Sequence, residues 1–133
     1  MKYTLDTNAC IRLLKGDCQQ MLKHIESISS ADVYISAVVR FELYYGACKS
    51  NRVEENLLKL NTFFENYELL PIDQEIADKA GIIRALLEKK GTPIGPYDLL
   101  IGATALVNDC ILVTHNTREF SRISSLMIDD WEL

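Results

Sequence analysis

The chain has 133 residues, a length that favours one domain spanning residues 1–133. Its hydrophobic content of 48% and charged content of 25% are typical of a globular protein and exclude a disordered or fibrous one. The net charge of −5 argues against nucleic-acid binding through bulk positive charge. That argument weakens if several acids are gathered in one site, because the remainder of the chain would then be close to neutral.

Short apolar runs alternate with helical patterns along the chain. The first half predicts a strand at residues 3–5, helices at 9–15 and 19–28, a strand at 33–35, and helices at 36–46 and 53–64. The second half predicts a strand at 68–70, a helix at 73–87, a loop at 91–97, a helix at 99–107 opened by Asp98, and strands at 111–114 and 126–128. Continuous apolar strands that alternate with helices predict an α/β fold with a mostly parallel sheet covered on both faces.

The sequence pattern argues against secretion and against a membrane span. The N-terminus lacks the apolar region of a secretion signal, and the longest uncharged apolar stretch, residues 99–108, is well short of the roughly 20 residues that span a membrane. We therefore expect a cytoplasmic protein that does not enter a membrane. The cysteines form no Cys-x-x-Cys pair, so we expect buried reduced thiols instead of a zinc site or disulfides.

Two aspartates stand where helices begin. Asp6 directly follows the first strand, and Asp98 precedes a helix so apolar that it must be buried nearly all round. Aspartate is a common helix N-cap, worth about 1 kcal/mol, so each residue also has a purely structural explanation. At the carboxyl end of a parallel sheet, however, these carboxylates would lie where such folds bind ligands.

Three further polar residues are expected near the same end of the sheet. Glu42 lies on the apolar face of its helix, a phase that disfavours the alternative of a surface ion pair with Arg40 or Lys49. Asn116 and Glu119 follow the last long apolar strand, and their spacing also fits a capping box, in which Asn116 caps and Glu119 bonds back.

Inward-facing carboxylates without paired bases repel one another unless a cation is present. Oxygen ligands without histidine or thiolate favour magnesium or manganese. Such a site suits phosphodiester hydrolysis, in which the cation activates water and neutralises the charge that develops on the phosphate.

At these residues the chain resembles the PIN-domain endoribonucleases, and most closely the VapC toxins of bacterial toxin–antitoxin pairs. The resemblance extends over almost the full length. It rests on LDTN at residues 5–8, ISA at 35–37, FELYYG at 41–46, GTPIGPYDLLI at 91–101 and LVTHNTREF at 112–120. Segments in this order, at family-like spacing, make a specific match.

The resemblance implies a three-layer α/β/α fold with a central, mostly parallel sheet. It also implies that Asp6 and Asp98 bind Mg²⁺, for which Mn²⁺ could substitute, and that Glu42 is a further acid of the catalytic site. Many family members carry an additional aspartate where this chain has Asn116. Asn116 could then act through a water molecule, or Glu119 could take the place of the missing acid.

The function that this resemblance implies is that of a type II toxin. Such a toxin is an Mg²⁺-dependent endoribonuclease that cleaves structured RNA and arrests growth when its antitoxin is absent; transfer RNA is the first candidate substrate and ribosomal RNA the second. The implied partners are the RNA, a VapB-type antitoxin that occludes the active site, and a second copy of the chain in a homodimer. Basic residues that could contact phosphates are Lys49, Arg52, Lys89, Lys90, Arg118 and Arg122.

Two other functions fit parts of the sequence. A phosphotransferase of the haloacid-dehalogenase type also places an aspartate after its first strand, but it needs a second acid two residues later, where this chain has Asn8. A non-catalytic binding domain of the same fold would be expected to have lost part of the acid set. Asp6, Glu42 and Asp98 are all present, which favours the enzyme.

Overall fold

The computed structural model describes residues 1–133, and a five-stranded sheet forms its centre. The strands are β1 (Tyr3–Leu5), β2 (Val33–Ser36), β3 (Glu68–Leu70), β4 (Ile111–Val113) and β5 (Ile128–Asp129). They lie in the order β3-β2-β1-β4-β5, and every neighbouring pair is parallel. In the register of the central strands, Tyr3 lies between Val33 and Ile111. The predicted α/β class is confirmed, and the sheet is parallel throughout.

Seven helices flank this sheet, and a 3₁₀ turn at Ser30–Asp32 precedes β2. They are α1 (Thr7–Lys15), α2 (Gln19–Glu26), α3 (Ala37–Cys48), α4 (Val53–Phe64), α5 (Gln74–Lys89), α6 (Pro96–Val107) and α7 (Thr117–Phe120). The chain runs outward from β1 to β2 and β3, and then returns across the sheet to β4 and β5. Because parallel crossovers are right-handed, the outward and return connections place their helices on opposite faces. In agreement, α1, α3 and α4 pack together and α5 packs on α6, which gives the three layers.

The connections after β1 and β4 leave the sheet in opposite directions. β1 leads through α1 and α2 toward β2, whereas β4 leads through α7 toward β5. Such a switch of direction opens a crevice at the carboxyl ends of the two strands, where open α/β sheets bind ligands. Asp6 directly follows β1 and Thr114 directly follows β4, so both residues lie at this crevice.

The strands and α6 supply the centre of the hydrophobic core. Leu5, Val33 and Leu112 are completely buried, and α6 is buried along most of its length, as its apolar sequence predicts. Gly102 allows a close approach on one side of α6. A Cβ at this position would lie 2.5 Å from Cδ1 of Ile123, so the segment that follows α7 packs against α6 because no side chain intervenes.

Most predicted elements lie within two residues of those observed, and the largest difference is at α6. This helix begins at Pro96, whereas the sequence predicted a loop over residues 91–97 and a helix opened by Asp98. Proline favours the first position of a helix, because its missing N–H would have no partner there and its φ is already helical. The last strand is also displaced, since β5 comprises Ile128–Asp129 and not residues 126–128.

The cysteines are all free thiols. Cys10, Cys18 and Cys110 are buried, as predicted. The prediction is wrong for Cys48, which is exposed at the last position of α3. None of the helices is both long enough and apolar enough to cross a lipid bilayer.

Candidate active site

Asp6 is both a helix cap and a buried carboxylate. Its Oδ1 accepts a hydrogen bond from the Ala9 amide at 2.8 Å, so the predicted cap of α1 is confirmed. Its Oδ2 accepts a second bond, at 2.6 Å, from the Thr114 hydroxyl at the end of β4. Burial raises the pKa of Asp6 because it outweighs these two bonds, and repulsion from Glu132 and Glu42 adds to the increase. The capping residue therefore also places a carboxylate in the crevice.

Thr114 links the ends of β1 and β4 through its side chain. Its hydroxyl donates to Asp6 and accepts a hydrogen bond from the Asn116 amide at 2.9 Å. The Asn116 side chain makes no capping bond to α7, and Asn116 and Asp6 line the same cleft of about 560 Å³. The structure thus brings Asn116 to the side of the site that carries Asp6.

Glu42 reaches the site from the middle of α3. Its Oε1 accepts a hydrogen bond from the Thr7 hydroxyl at 2.7 Å, which holds the carboxylate beside the first turn of α1. The alternative of a surface ion pair is wrong, because Arg40 and Lys49 lie over aromatic rings and not beside Glu42. The partly buried position of Glu42 agrees with its predicted phase on the helix.

Asp98 lies in the first turn of α6, three residues after the Gly95 cap, so its interpretation as a helix cap is wrong. Burial is the main reason that the pKa of Asp98 is raised to about 6, and repulsion from Asp6, Glu42 and Glu119 contributes further. Repulsion of this kind requires the carboxylates to lie near one another. The structure therefore places these acids in one region of the molecule, although no three of their carboxylates offer oxygens that all lie within 4.8 Å of one another.

We call these four residues the acid cluster: Asp6, Glu42, Asp98 and Glu119. None of the ion pairs in the protein involves any of them. Carboxylates crowded in a partly buried site without a base destabilise one another unless a cation binds between them. The cluster contains only oxygen donors, and these are the ligands that Mg²⁺ and Mn²⁺ prefer. The residues present therefore fit a hard divalent cation.

Glu119 does not form the capping box that its spacing allows. The box requires the Glu119 side chain to accept from the Asn116 amide, but this amide donates to the Thr114 hydroxyl instead. Asn116 is the N-cap of α7 by backbone position only. The charge of Glu119 instead acts on Asp98, one of the acids across the site.

A second polar group lies at the Asp6 end of the cleft. The sequence placed His115 in a loop near the site but did not indicate its acidic partners. The His115 ring nitrogen Nδ1 lies 2.9 Å from Oδ2 of Asp130 and 3.8 Å from Oε2 of Glu132. Arg12 in turn lies 3.4 Å from Glu132. Thr7 and Thr114, the hydroxyl donors to the cluster, were missed as well. The one sequence signal for these donors was their position, since Thr7 begins α1 and Thr114 directly follows β4. No local signal indicates the approach of Glu132 to Asp6, because it depends on how the C-terminal segment packs.

Comparisons with known proteins agree with this arrangement. The family model of the PIN domain matches residues 3–126. The tRNA(fMet)-specific endonuclease VapC of Salmonella typhimurium is 39% identical over 131 residues, which cover 98% of either chain. Ribonuclease VapC2 of Rickettsia felis is 35% identical over 133 residues, or 99% of either chain. The crystal structure of DNA-bound VapBC from Salmonella typhimurium matches with a TM-score of 0.93, at 40% identity over 98% of either chain.

These matches bear on the alternatives that the sequence left open. They give no support to a phosphotransferase of the haloacid-dehalogenase type, because the matching family and relatives are nucleases. The match spans the three segments that carry Asp6, Glu42 and Asp98, as well as the loop with Asn116 and Glu119. The chain belongs to the PIN-domain family and, within it, to the VapC ribonucleases.

Proposed function

We propose that residues 1–133 act as a single PIN domain, the cytoplasmic toxin of a type II toxin–antitoxin pair. Its activity is the Mg²⁺-dependent hydrolysis of phosphodiester bonds in structured RNA. The acid cluster carries this proposal, because its carboxylates lie in a partly buried site and none of them forms an ion pair. Burial, together with the charges of the other three acids, raises the pKa of Asp98 to about 6. Transfer RNA is the first candidate substrate, since the Salmonella relative is named a tRNA(fMet)-specific endonuclease.

Asp6 and Asp98 would hold the cation, with Mn²⁺ as a substitute for Mg²⁺. A divalent cation at such a site activates water and neutralises the charge that develops on the phosphate and the leaving oxygen. Glu42, Asn116 and Glu119 complete the proposed catalytic set. Asn116 needs no charge for this role, because a neutral amide oxygen can orient a water molecule.

Two threonine hydroxyls hold the carboxylates in place before substrate binds. Thr114 donates to Asp6 and Thr7 donates to Glu42. Each carboxylate oxygen has two lone pairs, so an oxygen that accepts one of these bonds can still accept another ligand. A carboxylate fixed in this way needs less reorganisation when the reaction begins, which is the physical basis of catalysis by positioning.

The partners we propose are a VapB-type antitoxin and a second copy of the chain. The Salmonella structure is that of a VapBC complex. In this protein an open groove of about 530 Å³ runs along Glu42, and Ile11, Leu43 and Leu60 contribute its apolar walls. The groove contains one carboxylate, Glu42, together with Lys15 and Lys59. An apolar groove with such a carboxylate fits a peptide with an arginine, whose planar fork matches a carboxylate in a bidentate manner. Such an arginine would compete with the cation near Asp6 and Asp98.

The test is a cleavage assay on total RNA with purified protein, in which the new RNA ends are mapped. We expect cleavage with Mg²⁺ or Mn²⁺, no cleavage with a chelator, and loss of activity when the antitoxin is added. A wild-type protein that cuts no RNA in either metal would refute the nuclease. An antitoxin complex with full nuclease activity would refute the proposed occlusion alone.

A further inference from the structure

Three exposed aromatic side chains lie on the helices that carry Glu42 and Asp98. Phe41, Tyr45 and Tyr97 are 52%, 59% and 49% exposed, and every other aromatic side chain of the protein is at least partly buried. Phe41 directly precedes Glu42, and Tyr97 directly precedes Asp98. The three most exposed aromatic side chains of the protein thus lie on two helices that each carry an acid of the cluster.

The rings of Phe41 and Tyr97 meet across the two helices that carry Glu42 and Asp98. Their centroids are 5.5 Å apart and their planes are inclined at 63°, an edge-to-face arrangement. About half of each ring faces solvent despite this contact. Exposed apolar surface next to a polar site is typical of a surface that binds a ligand.

The aromatic row continues along α3. Tyr45 lies four residues after Phe41, about 6 Å further along the helix axis and on the same side. The Lys49 ammonium, four residues further still, lies 4.7 Å over the Tyr45 ring. We call Tyr97, Phe41, Tyr45 and Lys49 the aromatic track. It begins at the acid cluster and ends at a positive charge.

We propose that the aromatic track stacks unpaired bases of the RNA next to the scissile phosphate, and that Lys49 contacts a phosphate of the same strand. This inference rests on the proposed ribonuclease function and specifies how that site would hold its substrate. Aromatic rings stack on any base, because every base has a π-face. Bases inside an A-form duplex are already stacked and inaccessible, so the track would select a single-stranded segment of a structured RNA.

The charge of the protein explains why such a surface is needed. Phosphate contacts by lysine and arginine usually dominate the affinity of a protein for nucleic acid. Here the net charge is −5 and the reaction centre itself is a cluster of carboxylates, so electrostatics opposes the approach of a polyanion. Stacking does not depend on charge. The aromatic track therefore offers binding free energy at the place where electrostatic attraction is weakest.

The test uses Asp6→Asn as a cleavage-deficient background and RNA oligonucleotides that carry 2-aminopurine at successive positions. Fluorescence quenching reports stacking, and a titration gives the affinity for a single strand and for the matching duplex. In this background we expect Phe41→Ser and Tyr97→Ser to weaken single-strand binding by about 5- to 100-fold and to abolish quenching. Phe41→Trp and Tyr97→Phe should restore both, and Ile82→Ser, at an exposed apolar position on α5, should change neither.

Two results would overturn the proposal. One is unchanged affinity and quenching in both serine variants and in Tyr45→Ser, whose side chain is the most exposed of the three. The other is a wild-type oligomer that Phe41→Ser dissociates in the absence of RNA, because the track would then be a contact between copies of the chain. The wild-type cleavage assay is independent of this experiment. Quenching without cleavage would support the aromatic track and refute the nuclease. Cleavage by the wild type, with unchanged RNA binding in the serine variants, would support the nuclease and refute the aromatic track.

Discussion

The two aspartates proposed to hold the cation are fixed in different ways. Asp6, on the sheet side, accepts hydrogen bonds from the Ala9 amide and the Thr114 hydroxyl at 2.8 and 2.6 Å. Asp98, on the α6 side, has a pKa raised to about 6 by burial and by neighbouring carboxylates, with no hydrogen bond to oppose them. Burial raises the pKa of Asp6 as well, but its two hydrogen bonds oppose the increase and fix the carboxylate. At Asp98 no hydrogen bond opposes the increase, so a cation would relieve more repulsion there.

This difference indicates how the site combines stability with function. A carboxylate that is already hydrogen-bonded is held in place without a cation, and it also defines where the cation binds. A carboxylate without such bonds destabilises the metal-free fold and responds most strongly when the cation binds. Substitutions on the two sides should therefore have distinguishable effects on activity and on stability.

The largest effect is expected for Asp6→Asn. Asparagine is also a good N-cap, so the fold should persist, but the loss of charge should lower the ribonuclease rate by at least about 100-fold and abolish growth arrest. Cleavage rates, growth on expression and a thermal melt are the measurements. The matched control is Asp73→Asn, because Asp73 caps α5 through the same bond, from the Ile76 amide at 2.9 Å. Full activity of Asp6→Asn would refute its role as a ligand.

Glu119→Gln should have the next largest effect. The capping box is not formed, so the change removes charge beside the cluster without the loss of a helix cap. We expect the magnesium affinity and the rate to fall together by about 10- to 100-fold, as for residues that support a metal site from outside its ligands. A magnesium titration of the rate measures both quantities, and Glu54→Gln, in the first turn of α4, serves as the control. An unchanged midpoint and plateau would leave Asp6, Glu42 and Asp98 as the whole acid set.

Thr7→Val should lower the rate by about tenfold, because Glu42 loses the hydroxyl that holds it at 2.7 Å. Thr7→Ser keeps the hydroxyl and should restore activity. The positioning role also predicts that kcat falls more than KM changes, since the carboxylate is misplaced and not removed. Equal rates for the valine and serine variants would show that the bond does not position Glu42.

The smallest effect is expected at Asp98 on α6, as a change of a few degrees in melting temperature with pH or with Mg²⁺. The pKa of Asp98 is about 6 in the folded protein, above its ordinary value of 3.8, so ionised Asp98 destabilises the fold. This penalty is fully present above about pH 6 and disappears as the pH falls toward the ordinary value, so the metal-free protein should gain stability in that window. Mg²⁺ should raise the melting temperature at neutral pH by relieving the same repulsion.

Asp98→Asn should reduce the change of melting temperature with pH in the metal-free protein. It should also reduce the increase in melting temperature that Mg²⁺ causes. Thermal melts across the pH range, with a chelator and with Mg²⁺, measure both effects. Asp78→Asn, on the exposed side of α5, controls for a general change in charge. If the melting temperatures of wild type and Asp98→Asn depend on pH in the same way, ionised Asp98 does not destabilise the fold.

The comparison of the two aspartates also shows what the sequence could predict. Asp6 after an apolar strand, Asp98 before an apolar helix and Glu42 on an apolar face are each recognisable within one short segment. Their convergence followed from the parallel sheet, because parallel strands end on the same side. The carboxylates and their common location were therefore accessible to reasoning from local patterns.

The hydrogen bonds that fix these carboxylates were not accessible in the same way. The bond between Thr114 and Asp6 joins residues 108 positions apart, and that between Thr7 and Glu42 joins residues 35 positions apart. Such pairs depend on side-chain directions after packing, which a single sequence does not specify. The start of α6 was misplaced for a local reason, because Pro96 follows a glycine- and proline-rich segment and can either extend a loop or begin a helix.

The close contact at Gly102 has a consequence for the charges above it. Gly102 lies one helical turn after Asp98, and the side chains of Phe120 and Ile123 occupy the space beside it. Phe120 adjoins Glu119, so the separation of the Asp98 and Glu119 carboxylates depends on how closely α7 and the following segment approach α6. A methyl group at position 102 would force the end of the Ile123 side chain to move without touching either acid. The packing of the hydrophobic core thereby contributes to the spacing of two charges at the site.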